Sequence, residues 1–166
     1  MKFLGHPLHQ LLIVFPVGLL LTAVVFELIA LWNGSSELWT VSYWLILAGL
    51  VSGLVAAIFG FLDWRHIPSS TRANRIGIYH AAGNVLVLTV FALSWWLRGE
   101  PAEAPSGWSL GLALTGAGLL GLTGWLGAEL IVRLGVGVDH DANVNASNSL
   151  AVHAPIEATT SIKRTA

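Results

Sequence analysis

Residues 39–62, WTVSYWLILAGLVSGLVAAIFGFL, carry no charged side chain over their whole length. A helix needs about 20 mostly apolar residues to cross a hydrocarbon core. In lipid, a helix satisfies its backbone polar groups within one segment, so such a run is read as a spanning helix. Working outward, three more runs of this kind appear at 8–32, 79–97 and 108–134. Loops 33–38, 63–78 and 98–107 separate them. The pattern predicts an all-α integral membrane four-helix bundle over residues 1–140. Four spans are too few, and too continuously apolar, for a barrel.

Composition agrees. The chain is 55% hydrophobic and 10% charged, against about 25% charged in a soluble protein whose surface must face water. Its mean hydropathy is +0.73. The lipid bilayer is therefore the expected solvent and partner. A net charge of −1 leaves no electrostatic footprint for nucleic acid. With no cysteine, disulfides, iron–sulfur ligation and thiolate nucleophiles are excluded. Any cofactor must be held by His, Asp, Glu, Asn, Met1 or backbone groups.

Orientation follows from the basic residues. Lys2, Arg65, Arg72, Arg75, Arg133, Lys163 and Arg164 fall on one side of the four spans and Arg98 on the other. The positive-inside rule puts the first side, with both termini, in the cytoplasm. Trp32, Trp39, Trp44, Trp95, Trp96 and Trp108 form the expected aromatic belt at the opposite face. The first run lacks a small-residue cleavage site and contains Pro16 and Glu27, so it reads as a retained helix. Residues 141–166, rich in Ala, Asn, Ser and Thr, predict a disordered polar tail.

Small residues recur at helical spacing. Gly49, Gly53 and Ala57, and Ala56 and Gly60, lie on the second helix; Gly107, Gly111, Gly121, Gly124 and Gly127 lie on the fourth. Such seams let helix backbones approach closely, or leave room for a flat cofactor.

An ionisable group inside a span costs about 2.5–3.5 kcal/mol on insertion scales and calls for a reason. Most such groups gather at the cytoplasmic end. His6 and His9 open the first helix, Asp63 and His66 close the second, and His80 and Asn84 begin the third. Glu129 and Arg133, then Asp139 and His140, end the fourth. Nothing comparable is expected at the outer end. His6 and His9 share one helix face, and His80 and Asn84 another.

Three readings are open at this point. Imidazoles from two different helices could ligate a b-type haem, with Gly83 making room for the porphyrin. His, Asp and Glu together would suit a zinc or other divalent site. Interfacial capping is the third, because snorkelling makes that depth cheap. Glu129 and Arg133 are spaced for an i, i+4 ion pair. Glu27 shares a face with His9 about 27 Å along the helix, at ~1.5 Å per residue. Pro16, between them, frees the carbonyl of Leu12 and predicts a kink.

Together, Gly5-His6-Pro7-Leu8-His9, Phe15-Pro16-Val17-Gly18, Gly60-Phe61-Leu62-Asp63-Trp64, His80-Ala81-Ala82-Gly83-Asn84 and Gly124-Trp125-Leu126-Gly127-Ala128-Glu129-Leu130 resemble the bacterial membrane family known as domain of unknown function 2231. The resemblance spans residues 1 to about 140. Family members typically have Gly-Gly-Glu where this chain has Gly127-Ala128-Glu129, which leaves the acid in place. Related chains occur fused to redox modules, including Rieske-type domains, and the layout is similar to that of four-helix b-type cytochromes. The resemblance therefore implies electron transfer.

The leading expectation is a multi-pass protein of the bacterial inner membrane that binds haem b or serves as a redox-linked subunit. His80 with His9 or His6 would ligate the iron, and Asp63, Glu129 and Arg133 would handle propionates or protons. A redox partner protein and a homo-oligomer are the expected associations. The first alternative is a cofactor-free scaffold. The second is an ion, metal or proton pathway, with His9 and His80 the candidate metal ligands. No Gly-x-Ser-x-Gly, phosphate-binding loop or His-Glu-x-x-His is present, so no autonomous catalytic activity is expected.

Overall fold

The computed structural model describes residues 2–140 and 142–149. The chain opens on a two-stranded hairpin, β1 (Lys2–Phe3) paired antiparallel with β2 (His6–Pro7). Its turn needs positive φ at both central residues, and Leu4 (50°) and Gly5 (85°) supply it. Then come α1 (Leu8–Leu12), α2 (Val14–Asn33), α3 (Ser36–Trp64), α4 (Arg72–Trp96) and α5 (Gly107–Ala128). A π-helical turn over Glu129–Arg133 ends the last helix.

The boundaries follow local chemistry. Pro16 has no N–H to give the carbonyl of Leu12, and the first span breaks into α1 and α2 at Ile13. Gly34, at φ 73°, closes α2 and donates its N–H to Ala30 O at 2.7 Å. Ser35, Thr71 and Ser106 cap the N-termini of α3, α4 and α5, accepting from the backbone N–H of Leu38, Asn74 and Ser109. The third helix thus begins at Arg72 and not at 79. The Thr71 cap starts a helix on polar residues, one turn and more before the apolar run. The second begins at Ser36 and not at 39, for the same reason.

Among the described residues four helices, Leu8–Asn33, Ser36–Trp64, Arg72–Trp96 and Gly107–Arg133, are long and apolar enough to cross a membrane. Only 28, 28, 17 and 22% of their most apolar windows is buried inside the protein. Lipid must cover the rest. Four spans also bring the chain in and out at one face, called here the terminal end; the opposite face is the far end.

Two helical hairpins build the bundle. The first packs α1 and α2 on α3; the second packs α4 on α5. Contacts within each hairpin are much more extensive than those between them, where α3 meets α4 and α2 meets α5. Leu20, Ala23, Val24, Ile46, Val87, Phe91, Ala113 and Leu120 form the shared core.

The seam on α3 runs through Gly49, Gly53, Ala56 and Gly60, while Ala57 is exposed. Leu20 packs on Gly49, and Leu88 with Pro16 on Gly53. The expected seam on the fourth helix is mostly not one. Among the described residues nothing lies within 4 Å of a Cβ built on Gly107, Gly111, Gly121 or Gly124, and only Gly127 meets a neighbour. These glycines lie off the stripe that α5 buries: Ser109, Ala113, Gly116, Leu120 and Thr123.

Residues 142–149 contain turns and no helix or strand, and Ser149 comes back against Gly5. The rest of the predicted disordered tail lies outside the described residues.

Candidate functional site

Two of the histidines meet inside the terminal end. His9 reaches from α1 to α3, where its Nδ1 donates to Ala56 O at 2.9 Å and its ring lies on Gly60. His80 reaches from α4 to α5, where its Nδ1 donates to Thr123 O at 2.9 Å and its ring lies on Gly127. The ring centroids are 6.4 Å apart, with the planes at 85°. A carbonyl oxygen only accepts, so both rings carry their proton on Nδ1 when neutral. That leaves Nε2 with its lone pair. Asn84 Nδ2, which also donates to His80 O at 2.9 Å, lies 3.1 Å from His80 Nε2 and donates to it. Two hydrogen bonds thus fix the same tautomer of His80. A ring nitrogen held by a backbone carbonyl is also the arrangement that orients a metal-ligating histidine.

The other predicted site residues do not join this pair through the bonds and contacts described. His6 is exposed in the β-hairpin, its Nδ1 on Leu4 O. His66 is exposed beyond α3, its Nδ1 on Leu62 O at 2.8 Å. Asp63 lies half-buried on the last turn of α3. Glu129 pairs with Arg72 at 2.7 Å, and not with Arg133. Arg133 is exposed on the π-helical turn that begins at Glu129. Among the described residues no group of three or more His, Cys, Asp or Glu is placed to hold a metal ion.

The far end was not expected to hold a polar cluster, and among the described residues it holds the most deeply buried one. Glu27 of α2 and Arg98, two residues past α4, form an ion pair with both side chains 0% exposed. Arg98 Nη2 also donates to Trp39 O at 2.8 Å, and Ser42 Oγ donates to Glu27 Oε1 at 3.2 Å. Glu27 Oε2 and Arg98 Nε have no partner among the described residues. The sequence places Glu27 on the face of His9 and Arg98 in the outer loop, without joining them. Between the two clusters the shared core is apolar. The spans carry no His, Asp, Glu, Lys or Arg there to link one end to the other.

The four apolar helices agree with the comparison to known families. The family model described as predicted membrane protein (DUF2231) matches residues 5–140. The chain belongs to that family. No curated protein and no solved structure matches it. The DUF2231 match covers every element from the Gly5 turn to the π-helical turn, so both polar clusters lie within the family region.

Proposed function

We propose that this DUF2231 protein is a small redox-linked subunit of the bacterial inner membrane in which His9 and His80 would hold a b-type haem. The observation that carries the reading is the pair itself: two imidazoles from different hairpins, each with Nδ1 held by a backbone carbonyl. The ring centroids lie 6.4 Å apart, so the two imidazoles are close enough to serve one bound group. Bound there, the iron would supply one-electron chemistry. The chain's own part is to hold the ring tautomers, exclude water with the apolar core and keep charge at the mouth through Arg72 and Glu129. His6 drops out of the ligand set, and Asn84 would have to turn away from His80 Nε2.

A cofactor-free scaffold is the second reading, and the glycines favour it. Gly60 and Gly127 are filled by the histidine rings and Gly83 by Thr123, which are the places sequence reading left for a porphyrin. The deciding measurement is the visible spectrum of the purified, detergent-solubilised protein before and after dithionite. The haem reading expects a Soret band with resolved α and β bands after reduction, lost in His9→Ala and in His80→Ala and retained in His6→Ala. A colourless preparation leaves the scaffold reading.

The location within that membrane is tested by fusion reporters. One placed after Arg164 is expected to read cytoplasmic, and one within 98–107 periplasmic, because seven of the eight basic residues lie on the terminal side. A periplasmic signal from the carboxyl-terminal fusion would reverse the orientation.

A further inference from the structure

The two hairpins repeat one another at most of their buried positions. On α2, Pro16, Leu20, Ala23 and Glu27 are buried, beside Val24 and Ala30, which have no buried counterpart. At a spacing of 71 residues, Val87, Phe91, Ser94 and Arg98 are buried as well. On α3 the buried residues are Ser42, Ile46, Gly49, Gly53 and Ala56. At a spacing of 67, counted from Ala56 to Thr123, they become Ser109, Ala113, Gly116, Leu120 and Thr123, the complete buried set of α5.

The contacts repeat with the positions. Leu20 fills Gly49 as Phe91 fills Gly116. His9 lies on Gly60 and bonds Ala56 O, as His80 lies on Gly127 and bonds Thr123 O. Exchanging the hairpins also maps the packing onto itself, since α2 and α4 each touch both α3 and α5. The leading helices of both hairpins run from the terminal end to the far end. The relation is therefore a rotation about an axis along the bundle.

A residue can touch its own equivalent only close to such an axis. Two pairs do so: His9 with His80, and Glu27 with Arg98. The first pair is identical. The second is of opposite charge, and it is where the halves must differ, because a hairpin facing a further copy of itself would bury two carboxylates or two guanidiniums together. Like charges at a desolvated contact reject a partner strongly.

We propose that the chain is two copies of one membrane hairpin joined in tandem, and that Glu27 and Arg98 make the first hairpin accept the second and refuse a further copy of itself. The surface on the first hairpin fits a hairpin with a basic residue at the position equivalent to Glu27. The inference does not depend on any cofactor.

Charge exchange in the full-length protein tests it. Glu27→Arg and Arg98→Glu, made singly, place like charges on the axis, and each is expected to lower the yield of monodisperse, folded protein at least about tenfold. The double variant carrying both changes restores opposite charge with the halves reversed. Pseudo-symmetry gives an arginine at position 27 the carbonyl of Ser106 in place of that of Trp39, so the double variant is expected to recover at least about half of the wild-type yield. A double variant as poor as the singles overturns the proposal, because it would show a site that fits only one direction. Single variants that match the wild type overturn it equally, because the pair would then select nothing.

Discussion

Arg98→Met is expected to destabilise the detergent-solubilised protein by about 3–5 kcal/mol, the usual cost of removing one partner from a buried ion pair. The carboxylate of Glu27 would then be buried with only Ser42 Oγ to serve it. The carbonyl of Trp39 would lose its guanidinium donor as well. The corresponding replacement of both partners, Glu27→Leu with Arg98→Met, is expected to fall within about 1 kcal/mol of the wild type or above it, since an apolar pair avoids the cost of desolvating two charges. Equilibrium unfolding in detergent measures both. An Arg98→Met loss under about 1 kcal/mol, the range of an exposed pair, would mean that solvent or headgroups reach this contact.

The next largest effect is expected at Gly116. A Cβ built there lies 2.7 Å from Phe91 Cε2 and 2.8 Å from Cδ2. Phe91 is wholly buried in the core, so its rigid ring has nowhere to retreat without displacing its neighbours. Gly116→Ala should cost about 1–3 kcal/mol, the usual range for overpacking a filled core. At the equivalent position in the other hairpin, a Cβ on Gly49 meets the branched end of Leu20 at 2.6 Å. Leu20 can change rotamer where a ring cannot, so Gly49→Ala should cost clearly less than Gly116→Ala, despite the shorter contact. Equal losses at the two positions would show that both core layers are equally rigid.

The four spans were legible because a membrane segment is a property of composition over about 20 residues. Where composition and hydrogen bonding part company, the reading slipped. Residues 72–78 carry two arginines and an asparagine, so hydropathy excludes them, but Thr71 caps a helix that runs straight through them. The glycines of the fourth helix were read as a seam because small residues recur at helical spacing. Which face of a helix is buried depends on its neighbours, and those glycines lie off the packed stripe.

At the site, His9 and His80 were each visible as a polar residue near the terminal end of an apolar helix. Their meeting, at 6.4 Å between ring centroids, depends on how the two hairpins pack, which spacing along one helix does not show. The Glu129–Arg133 pair failed because Arg72, on another helix, takes the acid, and spacing along one helix does not show such a partner. Glu27 and Arg98 could not be joined by local spacing at all, because they lie 71 residues apart. One signal was nevertheless present in the sequence. The interval from Glu27 to Arg98 equals that from His9 to His80, and a search for internal repeats would have found the same displacement in both.

The hairpins are equivalent in packing but unequal in height. The residue equivalent to Trp96, where α4 ends, is Val25, yet α2 continues to Asn33. α2 runs about 12 Å beyond the level where α4 ends, and α3 starts about 6 Å beyond the level where α5 starts, at ~1.5 Å per residue. The added turns of α2 expose Leu28, Ile29, Leu31 and Trp32. A hydrocarbon layer of about 30 Å cannot match both halves at once. The far face therefore meets the bilayer as a step, and the mismatch is relieved by tilt or local thickening at fractions of a kcal/mol per Å. A thicker bilayer shelters the tall half and a thinner one favours the short half, so bilayer thickness bears as a mechanical load on the contact between them.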